Sequence, residues 1–322
     1  MNQILFAQAN TEGINLNRIL EPAKYIEGAR ILPLGFQNIP EGYTHIVFNS
    51  VYTYTAGKQE QMLKVCRNFG LKIVLDIDDT WHLSNKHFAY TPKYAEEVEF
   101  CIKNADIVWC ASKKLYLECK KLNKNAHYIP NAATSRKAQP KGKGQKYGYV
   151  ASATDHLKDA ELLTKTFQQL SKDKLPGAQV CWSGFEPTKE GHKMLQLFSS
   201  AGNFALNHYA KGIAYWWHYN NFDTALAPLV KNNFNTYKSA LKGIEAGAMG
   251  CAFICSDLEP YEVFTHKTDC LKAGSKSEWW SCFTQLYNDP ELALAISENL
   301  QELVFDLFDP KKINAERMQT LG

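Results

Sequence analysis

The sequence predicts an α/β protein with two domains, each built on a doubly wound parallel sheet. Short apolar segments alternate with longer helical segments along the whole chain. The alternation comes in two blocks, and the stretch between them has no apolar periodicity. A chain of 322 residues is also too long for one ordinary α/β domain and suits two. Repeated βα alternation of this kind is typical of doubly wound sheets with right-handed crossovers.

The first block contains short segments that are rich in Ile, Val or Leu and are closed by a polar or turn residue. Such segments are typical of strands buried on both faces, as in a parallel sheet. They occupy residues 3–9, 29–34, 45–50, 72–78, 106–112 and 127–132. Between them the pattern indicates helices at 57–69, 92–104 and 113–122. The helix at 92–104 has proline at its first position, which suits a helix start.

The stretch ATSRKAQPKGKGQK at 133–146 is rich in Gly, Pro and Lys and indicates a linker. The pattern then starts again, with strands predicted at 147–152, 178–184, 203–209, 224–229, 251–257 and 269–274 and helices at 155–170 and 237–249. The last segment indicates a helix, a break at Pro310 and another helix. We therefore expect a first domain at 1–135, a linker at 136–146, a second domain at 147–305 and a tail, 306–322, that packs back on the first domain.

Composition and charge exclude several classes of protein. Hydrophobic residues make up 45% and charged residues 21%, the balance of a globular protein with a core. The net charge of +3 is too small to indicate nucleic-acid binding by itself. The nine cysteines include no CxxC pair, which predicts buried free thiols in a reducing compartment. The chain shows no signal peptide and no run of the roughly 20 apolar residues that span a bilayer, so we expect a cytoplasmic protein.

A nicotinamide-dependent oxidoreductase is another α/β enzyme that this pattern of elements would fit. Its cofactor site requires the sequence G-x-G-x-x-G directly after the first strand of a domain. Neither residues 7–13, AQANTEG, nor residues 151–157 supply it. The sequence therefore disfavours that class of enzyme.

The most informative stretch is PLVKNNFNTYKSALKGIEAGAMGCAFICSDLEPY at 228–261. A predicted strand ends here, a polar loop follows, and a helix is expected to begin near residue 237. One face of this helix would carry Lys238, Lys242 and Glu245 on successive turns. Ser239 would add a hydroxyl beside Lys238. The N–H groups and dipole at a helix start suit a diphosphate, and a carboxylate about 10 Å further along the axis suits the hydroxyls of a ribose. A surface helix with Lys–Glu pairs fits the same residues.

The run FDTALAPLVKNNFNTYKSALKGIEAGAMGCAFICSDLEPY at 222–261 resembles the donor-binding segment of family 4-like retaining glycosyltransferases. The resemblance implies the GT-B fold, in which two Rossmann-like domains face a central cleft, and a nucleotide-sugar donor, UDP-linked in our prediction. It assigns the ribose to Glu245. The family also has a sugar-binding glutamate eight residues earlier, where this chain has Tyr237. Contacts to the sugar hydroxyls are therefore assigned to Asn235 or to backbone amides.

Two matches in the second half of the chain support the resemblance. The sequence YVASATDHLKDAELL at 149–163 resembles the start of the family's second domain, which implies that Lys158 approaches the donor phosphates. A plain helix cap at Asp155 is the alternative. The sequence SGF at 183–185 places Gly184 in a turn that faces the nucleotide base in the family.

The first half of the chain offers candidates for the acceptor side. The sequence INLNRILEP at 14–22 resembles a loop of related enzymes that faces the cleft, which makes Arg18 a candidate for phosphate or acceptor contact, with a solvent-exposed arginine as the alternative. The sequence VLDIDDTWHLSNKH at 74–87 follows a buried strand and resembles Asp-rich strand ends of the same group. Its candidates for orienting or deprotonating an acceptor hydroxyl are Asp78, Asp79 and His82, with Asp76 and His87 nearby. Helix capping and surface charge are the alternative for each of them.

The resemblance thus implies a retaining glycosyltransferase, which we expect to act by front-side attack on a hydroxyl of a glycan or macromolecule. It also implies no bound metal and no cofactor besides the donor. One alternative acceptor is DNA with hydroxymethylated bases, as in phage-type glucosyl- or arabinosyltransferases, which would place the protein in the host cytoplasm; the basic residues of the linker are the feature that suggests it. A non-catalytic sugar-nucleotide-binding protein is the alternative that Tyr237 suggests.

Overall fold

The computed structural model describes residues 3–8, 16–36, 38–83, 91–134, 136–211 and 214–322. The chain folds into two compact units. The first unit comprises Met1–Ala132, Thr236–Ser239 and Asp309–Gly322, and the second comprises Ala133–Asn235 and Ala240–Phe308. His87 of the predicted Asp-rich loop lies outside the described residues.

The first unit is built on a parallel sheet of six strands in the order β2-β1-β3-β4-β5-β6. The strands are β1 (Ile4–Ala7), β2 (Arg30–Leu32), β3 (His45–Asn49), β4 (Lys72–Ile77), β5 (Ile107–Cys110) and β6 (Ala126–Tyr128). Strands β1, β3 and β5 are buried along their whole length. This burial explains their continuous apolar sequences, because a parallel sheet is covered on both faces.

The second unit repeats the architecture with a parallel sheet of six strands in the order β12-β11-β10-β7-β8-β9. The strands are β7 (Lys146–Val150), β8 (Gln179–Phe185), β9 (Phe204–His208), β10 (Thr224–Ala227), β11 (Ala252–Ser256) and β12 (Leu271–Ala273). Read from the other edge, this is the strand order of a dinucleotide-binding Rossmann sheet. The predicted doubly wound fold is confirmed in both units, and every predicted strand is present.

Helices of varying length connect the strands. In chain order they are α1 (Glu21–Tyr25), α2 (Gln59–Asn68), α3 (Pro92–Asn104), α4 (Lys113–Leu122), α5 (Ala153–Ala160), α6 (Thr164–Leu170), α7 (Lys189–Ser199), α8 (Ala214–Trp217), α9 (Leu241–Ala248), α10 (Lys276–Asn288), α11 (Pro290–Leu307) and α12 (Pro310–Gln319). The hydroxyls of Thr91 and Ser112 cap α3 and α4 by accepting from backbone N–H groups, as N-cap side chains do. Among the described residues, no helix has the length and apolar character needed to cross a bilayer.

Small residues allow α9 to pack closely in the second unit. A Cβ added at Gly243 would lie 2.3 Å from the ring of Phe264, and one added at Gly247 would lie 2.7 Å from the side chain of Val304. Gly243 and Gly247, the second of which belongs to the AGAMG sequence at 246–250, therefore allow α9 to pack closely against Phe264 and against α11. The nine cysteines are all buried free thiols.

The predicted linker at 136–146 is packed against the second unit instead of spanning a gap. Its backbone is hydrogen-bonded there, from Ala138 N–H to the carbonyl of Ala248 and from Lys141 N–H to the carbonyl of Gly250. The ammonium of Lys141 donates to the carbonyl of Tyr219 at 2.5 Å. The Gly-, Pro- and Lys-rich composition indicated a linker because it lacks periodicity, but irregular backbone can also be fixed by such contacts.

Candidate functional site

The second sheet has its topological switch point between β7 and β10, which are neighbours in the sheet although two strands separate them in the chain. Open α/β sheets bind ligands beyond the carboxyl ends of their strands at such a point. Strand β7 leads there into residues 151–158, and strand β10 leads into the loop 228–235. The sequence-predicted donor residues of this unit follow these strands and β8.

The carboxylate of Asp159 organises the loop that follows β10. It is buried and accepts hydrogen bonds from the backbone N–H of Val230 at 2.8 Å and from the side-chain amide of Asn235 at 3.1 Å. The same amide of Asn235 also donates to the carbonyl of Val230. Asn235 is 3% exposed, so its amide holds the loop together and is not presented to a sugar. The predicted contact of this side chain with the sugar hydroxyls therefore stays a prediction.

Gly184 stands at the end of β8, where the backbone makes a close approach to the residue after β7. Its φ angle is +131°, and a Cβ at this position would lie 2.3 Å from the carbonyl oxygen of Ala151. Trp182 donates its indole N–H to the same carbonyl at 2.9 Å. Only glycine fits this turn, since any side chain would collide with backbone.

We expect Gly184→Ala to deform the turn beside the switch point and to lower the stability of the second unit by about 1–3 kcal/mol, because the strained φ and the collision add. Gly177→Ala is the matched control: Gly177 also has positive φ, +80°, but no atom lies within 4 Å of the added Cβ. Urea unfolding of both variants measures the difference. Equal losses of stability in the two variants would show that the close approach to Ala151 is unimportant.

Glu245 lies in α9 with a fully buried side chain. Its Oε2 atom accepts hydrogen bonds from the hydroxyls of Tyr215 at 2.9 Å and Tyr219 at 2.5 Å, and from the ammonium of Lys242 at 3.0 Å. Its Oε1 atom is equally buried and has no partner among the described residues. A buried carboxylate oxygen without a donor is costly, so we expect this atom to accept a hydrogen bond from an ordered water or a ligand.

The two tyrosines around Glu245 keep their protons. Burial, and then the negative charge of Glu245, raise the pKa of Tyr215 and of Tyr219 well above the usual value. Both hydroxyls therefore act as donors toward the carboxylate. Sequence reasoning missed Tyr215 and Tyr219, because nothing in their spacing indicates a contact with a residue 26 to 30 positions later.

The helix that carries Glu245 begins four residues later than predicted. Its first residue is Leu241, so Lys238 and Ser239 precede the helix and Lys242 lies in its first turn. The expected common face of Lys238, Lys242 and Glu245 is therefore wrong, although Lys242 does contact Glu245. Lys238 and Ser239 belong to the first unit, where the Ser239 hydroxyl accepts a hydrogen bond from the Asn131 amide at 2.8 Å.

The segment Thr236–Ser239 is held by side chains of the first unit. Ser112 donates its hydroxyl to the carbonyl of Tyr237 at 2.7 Å, and Lys114 donates to the hydroxyl of Thr236 at 2.5 Å. The ring of Tyr237 packs edge-on against His82. These contacts explain the late helix start, because tertiary contacts override the weak helix propensity of four residues.

Arg18 is neither a ligand contact nor a solvent-exposed residue. It is fully buried, and its guanidinium holds the carboxylate of Asp76 with two hydrogen bonds of 2.8 Å. A further nitrogen donates to the carbonyl of Ile129 and to the side chain of Asn131. The prediction for Arg18 is therefore wrong: a charged residue near a strand end was interpreted as facing a cleft, whereas it joins β4 to the segment after β6.

Asp78 and Asp79 follow β4, as predicted, and Asp78 is the more constrained of the two. It accepts a hydrogen bond from the amide of Asn49 at 2.9 Å and a longer one from the hydroxyl of Ser50 at 3.4 Å. Ser50 has a φ angle of +62°, which is uncommon for a residue other than glycine and often found at functional sites. Burial, and then the neighbouring charge of Asp79, raise the pKa of Asp78 to about 6.

The raised pKa of Asp78 predicts a pH dependence of stability. Its pKa is about 6 in the folded protein against 3.8 when unperturbed, so the folded state holds the proton over a range where the unfolded chain has lost it. The free energy of unfolding should therefore fall as pH rises from about 4 to about 6 through this group. We expect Asp78→Asn to remove that part of the decline, measured by urea unfolding across this range. An unchanged profile would contradict the raised pKa.

His82 and Asp79 complete the Asp-rich strand end. The ring of His82 lies between the rings of Trp81 and Tyr237, with centroid separations of 5.1 Å and 5.3 Å. The Asp79 carboxylate accepts from the backbone N–H of Thr80. Sequence reasoning missed Asn49 and Ser50 as partners of this loop. Asn49 ends β3 and Ser50 follows it, and adjacent parallel strands bring their ends together, which is the signal that was available. No cluster of three or more potential metal ligands occurs among the described residues.

Two six-stranded parallel sheets with these strand orders, and helices between the strands, are the GT-B fold known from nucleotide-sugar glycosyltransferases. The predicted GT-B architecture is confirmed at the level of the fold. No protein-family profile matches the sequence, and no curated protein matches it.

Three solved structures that share the fold are distantly related to this chain in sequence. HepE from Anabaena, solved with UDP and glucose, has a TM-score of 0.71 at 14% identity, covering 100% of this chain and 99% of HepE. Sucrose-phosphate synthase from Thermosynechococcus elongatus has a TM-score of 0.70 at 13% identity, covering 100% and 98% of the two chains. TarM has a TM-score of 0.66 at 13% identity over 86% of this chain, and the chain spans 54% of TarM.

Proposed function

We propose that this protein is a retaining glycosyltransferase that moves a sugar from a UDP-linked donor to a hydroxyl. The observation that carries the proposal is the Glu245 carboxylate, which is fully buried, is paired with Lys242 and has one oxygen without a partner within the described ranges. It lies on the helix that follows a switch-point strand, within the segment that resembles a donor-binding motif. HepE, which shares the fold, has been solved with UDP-glucose.

The donor roles follow from chemistry and position. Glu245 accepts hydrogen bonds from the ribose. The first N–H groups of α9 stabilise the diphosphate as negative charge develops on it. Lys238 and Ser239 keep the phosphate-binding role that the sequence predicts for them. Lys158 is exposed in α5, where it can approach a phosphate, and Gly184 lets the backbone face the base. With no protein nucleophile assigned, the acceptor hydroxyl attacks from the face that the diphosphate leaves.

The acceptor side rests on Asp78, with Asp79 and His82 as its neighbours. A carboxyl whose pKa is raised to about 6 is mostly ionised at neutral pH but binds a proton more readily than an ordinary aspartate, which suits a group that accepts a proton from an attacking hydroxyl. Its orientation is fixed by Asn49 and Ser50. We propose that Asp78 orients the acceptor hydroxyl.

The function is tested by incubating the protein with a panel of UDP-sugars and hydroxyl acceptors, and by measuring UDP release and the mass of the acceptor. We expect one sugar to be transferred, with the anomeric configuration of the donor retained in the product. Failure of every UDP-sugar and of UDP itself to bind, measured by calorimetry, would overturn the proposal.

DNA with hydroxymethylated bases is a more specific acceptor for the same reaction. The observation that favours it is a group of exposed basic residues in the packed segment 136–146, namely Arg136, Lys137, Lys143 and Lys146. Lys141 does not contribute, because its ammonium is bonded to backbone carbonyls. A gel shift with modified and unmodified duplex tests this acceptor. Binding that is absent or insensitive to salt would exclude it, since phosphate contacts weaken with salt.

A non-catalytic nucleotide-sugar-binding protein is the second candidate. It is favoured by Tyr237, which stands where the family has its sugar-binding glutamate. This side chain is 7% exposed and its hydroxyl lies 3.4 Å from Glu118, so it supplies no carboxylate to a sugar. Tight binding of a UDP-sugar without transfer or hydrolysis would establish this candidate.

A further inference from the structure

The hydrogen bonds of Glu245 are distributed unevenly over its two oxygens. Oε2 accepts from three donors, which belong to Tyr215, Tyr219 and Lys242, whereas Oε1 accepts from none among the described residues. An ionised carboxylate has acceptor sites on both oxygens. The hydrogen bonding of the carboxylate is therefore complete at Oε2 and incomplete at Oε1.

The partners of Glu245 differ in how they meet the solvent. Tyr219 is 1% exposed and packs against Phe222, so it belongs to the core. The side chain of Lys242 is 27% exposed, and Tyr215 is partly exposed. Lys242 and Tyr215 also contact each other, with the ammonium 5.1 Å from the ring centroid and a hydrogen bond to the hydroxyl. A ligand therefore reaches the buried carboxylate from the side on which Lys242 and Tyr215 meet the solvent.

Glu245 cannot accept from a ribose in the arrangement described, because its side chain is fully buried. A ribose hydroxyl is a neutral O–H donor, as the Tyr215 hydroxyl is. If a ribose hydroxyl replaced the Tyr215 hydroxyl, Oε2 of Glu245 would keep that hydrogen bond. The second hydroxyl of the ribose would supply the donor that Oε1 lacks. Burial and the charge of Glu245 raise the pKa of both tyrosines, so each hydroxyl keeps the proton that the exchange requires.

We propose that the Tyr215 hydroxyl occupies the place of a donor ribose hydroxyl on Glu245, and that Tyr219 is a positioning residue that holds the carboxylate during the exchange. This inference rests on the proposed binding of a nucleoside diphosphate sugar and adds two residues to it. Tyr215 makes a hydrogen bond that exists only without ligand and therefore opposes binding. Tyr219 makes one that persists and therefore supports binding.

Removal of the hydroxyl from Tyr215 and removal of the hydroxyl from Tyr219 should change the affinity for UDP in opposite directions. Removing a hydrogen bond to a charged group changes an equilibrium by about tenfold or more. We expect Tyr215→Phe to bind UDP about tenfold more tightly and Tyr219→Phe to bind it about tenfold more weakly. Calorimetric titration with UDP and with 2′,3′-dideoxy-UDP measures both effects. The dideoxy ligand lacks the hydroxyls, so its affinity should change little in Tyr215→Phe.

Tyr147→Phe is the matched control, because Tyr147 is also buried in the second unit but donates to the carbonyl of Phe283. It should leave the ratio of UDP to dideoxy-UDP affinity at the wild-type value, whereas Tyr219→Phe should reduce that ratio. Circular dichroism and thermal unfolding establish that each variant is folded.

The outcomes distinguish a failure of this inference from a failure of the proposed function. Unchanged or weaker UDP binding by Tyr215→Phe would overturn the exchange, and an unchanged ratio in Tyr219→Phe would overturn its positioning role. Wild-type protein that binds both nucleotides equally would show that Glu245 does not bind the ribose, while nucleotide binding stands. Wild-type protein that binds neither would overturn the proposed function itself.

Discussion

Replacement of Glu245 by alanine is expected to reduce UDP affinity by on the order of 100-fold and to abolish sugar transfer. The variant loses the acceptor for both ribose hydroxyls, and each hydrogen bond to a charged group is worth about tenfold or more. The affinity is measured by calorimetry and the transfer by mass spectrometry of the acceptor. Glu245→Gln, which keeps the shape of the side chain but not its charge, should show most of the loss.

Two controls make the result for Glu245 interpretable. Glu262→Gln neutralises an exposed carboxylate of the same unit and should leave UDP affinity unchanged. Thermal unfolding checks that Glu245→Ala is folded, because the substitution also leaves the buried hydroxyl of Tyr219 without its acceptor. A folded Glu245→Gln variant with full UDP affinity and full activity would refute the assignment of the ribose to this residue.

Replacement of Arg18 by methionine is expected to lower the free energy of unfolding of the first unit by about 3–5 kcal/mol. Arg18 and Asp76 are both fully buried and joined by two hydrogen bonds of 2.8 Å. Removing the guanidinium leaves the Asp76 carboxylate as an uncompensated buried charge. Because a protein of two units need not unfold in one step, native-state hydrogen exchange of β3 and β4 is the suitable measurement.

The double variant Arg18→Met, Asp76→Leu distinguishes the loss of the ion pair from the cost of leaving one buried charge unpaired. It should recover most of the stability, since apolar replacement of a whole buried ion pair is often neutral or favourable. Lys64→Met is the matched control at an exposed ion pair, with Glu60, and should leave the exchange rates unchanged. A single variant as stable as the wild type would show that Asp76 is not charged in the folded protein.

Much of the fold could be predicted from the sequence, because hydrophobic periodicity and capping or turn residues act locally. Buried strands such as β3 and β5 need continuous apolar residues, and the caps at Thr91 and Ser112 mark helix starts at their own positions. Strand order follows from right-handed crossovers only as a restricted set of choices. Arg18 was misassigned because nothing in the sequence around it indicates an ion pair with a carboxylate 58 residues later in the chain.

The sequence by itself determined the alternation of elements in two blocks and pointed to Glu245 through its motif. The tertiary structure alone decided what surrounds that carboxylate. Tyr215 and Tyr219 reach it from a separate helical segment, and the first unit holds residues 236–239 outside the helix, so that α9 begins at Leu241. Hydrogen bonds between distant segments depend on packing geometry, which no local pattern encodes. For the same reason the proposed donor site has one buried carboxylate oxygen without a partner in the described part of the chain, and this atom is the feature that the proposed experiments test.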